Sequence, residues 1–289
     1  MAIQPSIAGP DGLPAGAIQV SPALVVLVLL TAIVVAVIYA YQPPLPQAMA
    51  VAFVPWIVTG AILSVVAARG QYPPYLEPAV TEPGAYVTAI FVPGLVWAAM
   101  LNLSVSRRTL PAYHHYIGTM GVGAMASLWA ALILQIGSAR LTMMLVLVVV
   151  PVMALLATGL IALTIGFWSP DFVDYAAITG GFALFGALVN GIATTTSFAM
   201  AGESAHTAFS AAVQDVVLAI APSGVAGVDA THVWVWLFLV ANVAIGIHVV
   251  TRLAPYAESS PRAVNAMLGF VGAVGFALGF DRLLVLVVG

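Results

Sequence analysis

The sequence predicts an all-α fold, a polytopic transmembrane helical bundle of about eight spans, with seven as the alternative count. Three observations predict it. The chain of 289 residues is 63% hydrophobic, with a mean hydropathy of +1.13. Charged residues make up 6% of it, and its seven basic residues are all arginine. Apolar runs of about 18 residues or more recur along most of its length, each enough to cross about 30 Å of hydrocarbon at about 1.5 Å per residue. Inside lipid a helix satisfies its own backbone hydrogen bonds, so these runs read as helices.

The elements follow in order. Residues 1–22 carry Asp11 and prolines but no arginine, so they lack the basic start of a secretory signal and read as a flexible polar leader. Residues 23–289 then form a single transmembrane domain. The first span covers Ala23 to Tyr41 and stops at Gln42-Pro43-Pro44-Leu45-Pro46, which cannot continue a helix. The second covers Gln47 to Ala68, with Pro55 inside it. A loop rich in Pro and Tyr, holding Glu77 and Glu82, leads to a third span from Ala85 to Asn102, where Pro93 predicts a kink. Spans four (Tyr113 to Gln135) and five (Leu141 to Phe167) are joined by a short connection, which predicts an antiparallel hairpin. Span six covers Tyr175 to Phe198, span seven His232 to Val250 and span eight Ala263 to Phe280. Between six and seven, His206 to Ala221 has the spacing of an amphipathic helix, with Phe209, Val213, Val216, Val217 and Ile220 on one side. At about 16 residues it is too short to cross and reads as interfacial or re-entrant.

Short-loop arginines set the expected orientation. With the amino terminus outside the cell membrane, Arg107, Arg108, Arg252 and Arg262 lie inside, and Arg69, Arg140 and Arg282 outside.

Composition excludes several chemistries. Zero cysteines rule out disulfides, thiolate chemistry and Cys-based metal sites. The absence of lysine rules out a Schiff base. A formal charge of -3 gives no footprint for nucleic acid. No cofactor and no metal site is expected: Glu203 and His206 share a helical face, yet no inward carboxylates accompany them. Adjacent His114 and His115 point about 100° apart on a helix.

Chemistry must therefore come from polar groups at membrane depth. Candidates are Thr59, Asn102, Gln135, Asn190, Asn242, His248 and Asn265, with Asp281-Arg282 near the last span's end. Neutral amides there commonly bond helix to helix, each contributing about 1 kcal/mol or less. Asn190, Glu203, His206, Asn242, His248 and Arg282 are the candidate ligand-binding residues. Asp281 and Arg282 are expected either to cap their span at the interface, the favoured reading, or to form a buried pair under the apolar tail, and no carboxylate is expected inside a span. Gly118 and Gly121 in span four, and Gly269, Gly272, Gly275 and Gly279 in span eight, predict close helix packing within the chain.

Three blocks carry a family resemblance. Thr59-Gly-Ala-Ile-Leu-Ser-Val-Val-Ala-Ala-Arg-Gly70 with Tyr72-Pro-Pro and a restart at Pro83 to Tyr86, Asn190-Gly-Ile-Ala-Thr194 with Gly202-Glu-Ser-Ala-His206, and Gly275-Phe-Ala-Leu-Gly-Phe-Asp-Arg282-Leu-Leu together resemble the archaeal domain-of-unknown-function family sixty-three. The resemblance implies a multispan fold and an archaeal membrane, and lends no activity. Where that family shows Arg and a Glu-Asp pair after the first block's Gly, this chain has Ser64, Ala67 and Ala68, and where it shows Asp before Gly, this chain has Asn190. The family's charged centre is thus expected to be lost, with Glu203, His206 and Arg282 as the remaining carry-overs.

Three function classes stay open. A non-catalytic membrane component, a subunit or accessory factor binding another membrane protein or a lipid or isoprenoid, fits the sparse intramembrane charge and glycine-packed helices. A channel or transporter of a neutral or lipophilic small molecule fits the prolines at 55, 93 and 151. An intramembrane enzyme would use Glu203, His206 and Asp229.

Overall fold

The computed structural model describes residues 21–68, 72–73, 75–102, 113–136, 144–201 and 230–288. Arg69, Arg107, Arg108, Arg140, Glu203, His206, Asp229 and the expected amphipathic segment at 206–221 lie outside the described residues. Within them the chain forms helices α1 (Pro22–Tyr41), α2 (Ala48–Ala68), α3 (Glu77–Val80), α4 (Gly84–Asn102), α5 (Tyr113–Ile136), α6 (Met144–Trp168), α7 (Ala177–Ala201), α8 (Ala230–Leu253) and α9 (Pro261–Val288). All but the one-turn α3 are long and apolar enough to cross a membrane, which makes eight. The eight-span expectation holds. Large apolar side chains stand exposed along the outer faces, Leu155, Leu156, Leu160 and Leu163 of α6 among them, as lipid contact requires.

Local chemistry sets the ends. Ser21 caps α1 by accepting from the Leu24 N–H at 3.1 Å, with Pro22 in the first turn, where its missing donor costs nothing. Gln42 closes α1 in the left-handed region at φ 45°. A single π-helical turn, Phe172–Ala176, leads into α7. Gln47, at the start of α2, clamps it: Nε2 donates to the Tyr175 carbonyl at 2.7 Å and Oε1 accepts from the Ile178 N–H at 2.8 Å, satisfying backbone groups beside the irregular turn.

The centre is the pair α7 and α9, flanked by α2 and α8. Their close approach rests on glycine. A Cβ at Gly279 would lie 2.6 Å from the Asn190 nitrogen, and one at Gly275 2.7 Å from the Gly186 carbonyl carbon, so the two backbones touch where no side chain intervenes. Gly272 meets Phe182 in the same seam, whereas Gly269 makes ordinary contact with Ala50 of α2. The matching glycine on α7, Gly186, escaped the sequence reading because its neighbours lack a GxxxG spacing.

Two expectations are corrected. Spans four and five do not pair as a hairpin: α5 packs on α2, and α6 on α7. The reason lies on α5, where Gly118 sits over Ala52 and Gly121 over Trp56. Trp56 also donates its Nε1–H to the Ile117 carbonyl at 2.9 Å. The last span does not stop at Phe280 but runs to Val288. Leu283, Leu284, Val287 and Val288 are all buried in the core, so the tail extends the packed face and Asp281 and Arg282 stand inside the helix.

Candidate functional site

Adjacent residues on a helix point about 100° apart, so Asp281 and Arg282 serve different neighbours. Asp281 turns toward α2 and the start of α4. Ser64 of α2 shares its hydroxyl proton between the Ala61 carbonyl at 2.9 Å and Asp281 Oδ1 at 3.2 Å. Glu82, in the turn before α4, brings its carboxyl within hydrogen-bonding reach of Asp281. Tyr86 of α4 buries its hydroxyl beside both carboxyls and closes no well-formed hydrogen bond. Partial burial, then the Asp281 charge, then the shared hydrogen bond raise the Glu82 pKa. Glu82 is therefore the partner that holds the proton, and it donates to Asp281. A cleft of about 270 Å³, lined by Ser64, Thr81, Glu82 and Asp281, opens on the pair.

Arg282 turns to the other side and is buried, with 9% of its surface exposed. Its Nη1 donates to Thr194 Oγ1 of α7. Thr194 donates to the Asn190 carbonyl at 2.7 Å, and Asn190 Nδ2 donates to Asn242 Oδ1 of α8 at 3.1 Å. Asn242 in turn donates to the Phe238 carbonyl at 2.9 Å. A polar ladder thus crosses the bundle from Glu82 through Asp281, Arg282, Thr194 and Asn190 to Asn242. Gly279 makes this possible, since its missing side chain lets α9 rest on the Asn190 backbone.

Beside the ladder runs an apolar groove. A chamber of about 680 Å³ lies between α1, α2, α4 and the start of α9, and a second of about 420 Å³ continues along α2, α4 and α9. They share Leu45, Phe53, Ile90, Trp97 and Ala266. Tyr86 lines the second chamber and touches the carboxyl pair, so groove and ladder meet there. At the opposite end, Gln42, Ser259, Ser260 and Arg262 rim the first chamber. The Arg262 guanidinium sits 5.8 Å from the Tyr39 ring centroid. Trp97 is 5% exposed, stacks on Tyr113 at 5.4 Å, and has no acceptor for its Nε1–H among the described residues.

Of the residues expected from sequence, Asn190, Asn242 and Arg282 come together. His248 is exposed on α8 and shares none of the ladder's bonds, while Glu203 and His206 lie outside the described residues. Asn265 is glue: it accepts from Thr179 at 3.1 Å and donates to the Leu45 carbonyl at 2.9 Å. Asp281 and Arg282 do not end their helix, which runs on to Val288: Arg282 is buried, as the alternative reading had it, while Asp281 lies level with Glu82 in the turn before α4 and places a carboxylate within the last apolar helix. Ser64, Glu82, Tyr86 and Thr194 were not singled out as site residues. The available signal was Asp281-Arg282 followed by six apolar residues, Leu283 to Val288, a pattern that continues a helix. No family model, curated protein or solved structure matches the chain, so function rests on this geometry.

One consequence is a pH dependence. A carboxyl whose folded pKa is raised stabilises the fold fully below its unfolded value, 4.5 for Glu82, and that stabilisation is lost as pH rises through the folded pKa. The thermal midpoint in detergent is expected to fall as pH climbs from about 4.5. Glu82→Gln, which keeps a donor toward Asp281 and cannot ionise, should flatten that slope, and an unchanged slope would remove Glu82 as its source.

Proposed function

We propose that the protein is a membrane component that holds an amphiphilic lipid in the groove between α1, α2, α4 and α9. The observation that carries this reading is the pair of chambers sharing Trp97 and Ala266, apolar along their length and polar at the Arg262 end. A lipid supplies the matching profile, a hydrocarbon body with one hydrated end. α1 fits the role of a side wall: it packs chiefly on α4 and buries only Val34 well.

Ala266→Phe tests it. The side chain faces both chambers and is exposed, so phenylalanine fills the groove without entering the core. The variant should remain monodisperse and retain about tenfold less lipid after delipidation, read by mass spectrometry. Equal retention would sink the reading. A stoichiometric second polypeptide in the same preparation would favour an accessory-subunit role instead.

A second reading, transport of a lipophilic molecule coupled to protons, is favoured by one observation. Asp281 stands within the last apolar helix, in hydrogen-bonding reach of Glu82 where Tyr86 adjoins the groove, and ion coupling calls for such a carboxylate. It predicts flux of a lipophilic dye in proteoliposomes that follows an imposed pH gradient and is lost in Glu82→Gln.

A further inference from the structure

The groove's two ends and the unmatched indole N–H of Trp97 point to the class of lipid. Among the described residues, Arg262 is the single charged one lining either chamber, and its neighbour is the Tyr39 ring. The nearby acid in sequence, Glu258, is turned toward Tyr175 instead. Gln42, Ser259 and Ser260 add neutral polar groups around the same rim. A mouth of this kind complements an anion, and guanidinium suits phosphate oxygens in particular.

Deeper in, Trp97 supplies a second point of recognition. It lines both chambers, is almost fully buried, and has no acceptor for its indole N–H among the described residues. A buried donor left unmatched marks a missing partner. Trp97 lies five residues before the end of α4 at Asn102, about 7.5 Å in from that end. Its stacking partner Tyr113 begins α5 and feels the Arg262 charge, so Trp97 and Arg262 belong to the same end of the bundle. Beyond Trp97 the walls are apolar, except for Tyr86 whose hydroxyl lies beside the Glu82–Asp281 carboxyls, to Leu278 of α9, about 24 Å along the helix from Arg262.

We infer that the groove takes an anionic glycerophospholipid: its phosphate on Arg262, a glycerol ester or ether oxygen accepting from Trp97 Nε1, and a tail along α2, α4 and α9. Charge, then one acceptor a short way in, then hydrocarbon is the order of such a lipid from headgroup to tail. The inference rests on the lipid-holding reading and adds the headgroup and the acceptor to it.

The test uses the full chain, delipidated in mild detergent, with phosphatidylglycerol and phosphatidylcholine of identical tails, and binding read by native mass spectrometry. Wild type should hold phosphatidylglycerol about tenfold more tightly. Arg262→Gln should erase the preference, Arg262→Lys should keep most of it, and Trp97→Phe should weaken both lipids several-fold while leaving the preference intact. Equal binding of the two lipids by wild type, lost in Ala266→Phe, overturns the anionic headgroup and leaves the groove reading standing. Equal binding that Ala266→Phe does not lower removes the groove itself. A Trp97→Phe variant indistinguishable from wild type overturns the acceptor contact.

Discussion

Gly279→Leu is expected to destabilise the bundle by about 3 kcal/mol or more and to abolish recovery of monodisperse protein. Even a lone Cβ at this position would lie 2.6 Å from the Asn190 nitrogen and 2.7 Å from its Cα. Those atoms are backbone, so relief requires α7 and α9 to separate rather than a rotamer to turn. Separation would also pull Arg282 off Thr194 and loosen the Asn190–Asn242 bond. The matched control is Gly123→Leu on α5, where nothing lies within 4 Å of the added Cβ. That change should stay within about 0.5 kcal/mol. Thermal unfolding of both variants in one detergent decides the matter. Similar midpoints would mean that the α7–α9 seam does not depend on glycine.

The second large effect is expected at Asp281→Ala, a loss of about 3 kcal/mol. The carboxylate accepts from Ser64, pairs with Glu82, and is the acidic neighbour of a buried arginine. Removing one member of such a network leaves the others desolvated without their partner, which costs more than the pair itself contributes. Asp281→Asn keeps the shape and one acceptor, so its loss should be clearly smaller. A double-mutant cycle of Asp281→Asn with Glu82→Gln should give a coupling of about 1 kcal/mol, as expected of side chains in contact. Additive effects would show that the two carboxyls do not act together. Because both substitutions preserve volume, neither result is confounded by a cavity.

These two positions also show how much of the site was legible in the sequence. Gly275 and Gly279 announced themselves by their four-residue spacing, and the structure finds them at the tightest helix seam. Gly186, their counterpart, carries no such signature, since close packing needs a small residue on each helix but a motif on only one. Asn190, Asn242 and Arg282 were legible as polar groups at membrane depth. That they form one chain of hydrogen bonds was not, because it depends on which faces α7, α8 and α9 turn to one another. Glu82 reads as an ordinary loop acid until the turn before α4 folds it against Asp281. Arg262 reads as a topology signal until α1 and the start of α9 place it at the mouth of a groove.

What the sequence determined by itself was the membrane, the helices and their number. Long apolar runs in a chain this poor in charge have one stable solution in lipid, and that solution needs no knowledge of neighbours. Tertiary structure alone decided that the last helix continues through Asp281-Arg282, that α5 leaves α6 for α2, and that a groove and a polar ladder meet at Tyr86. Each of these turns on whether a polar or small residue finds its partner on another helix, and hydropathy along the chain does not record which helix that will be.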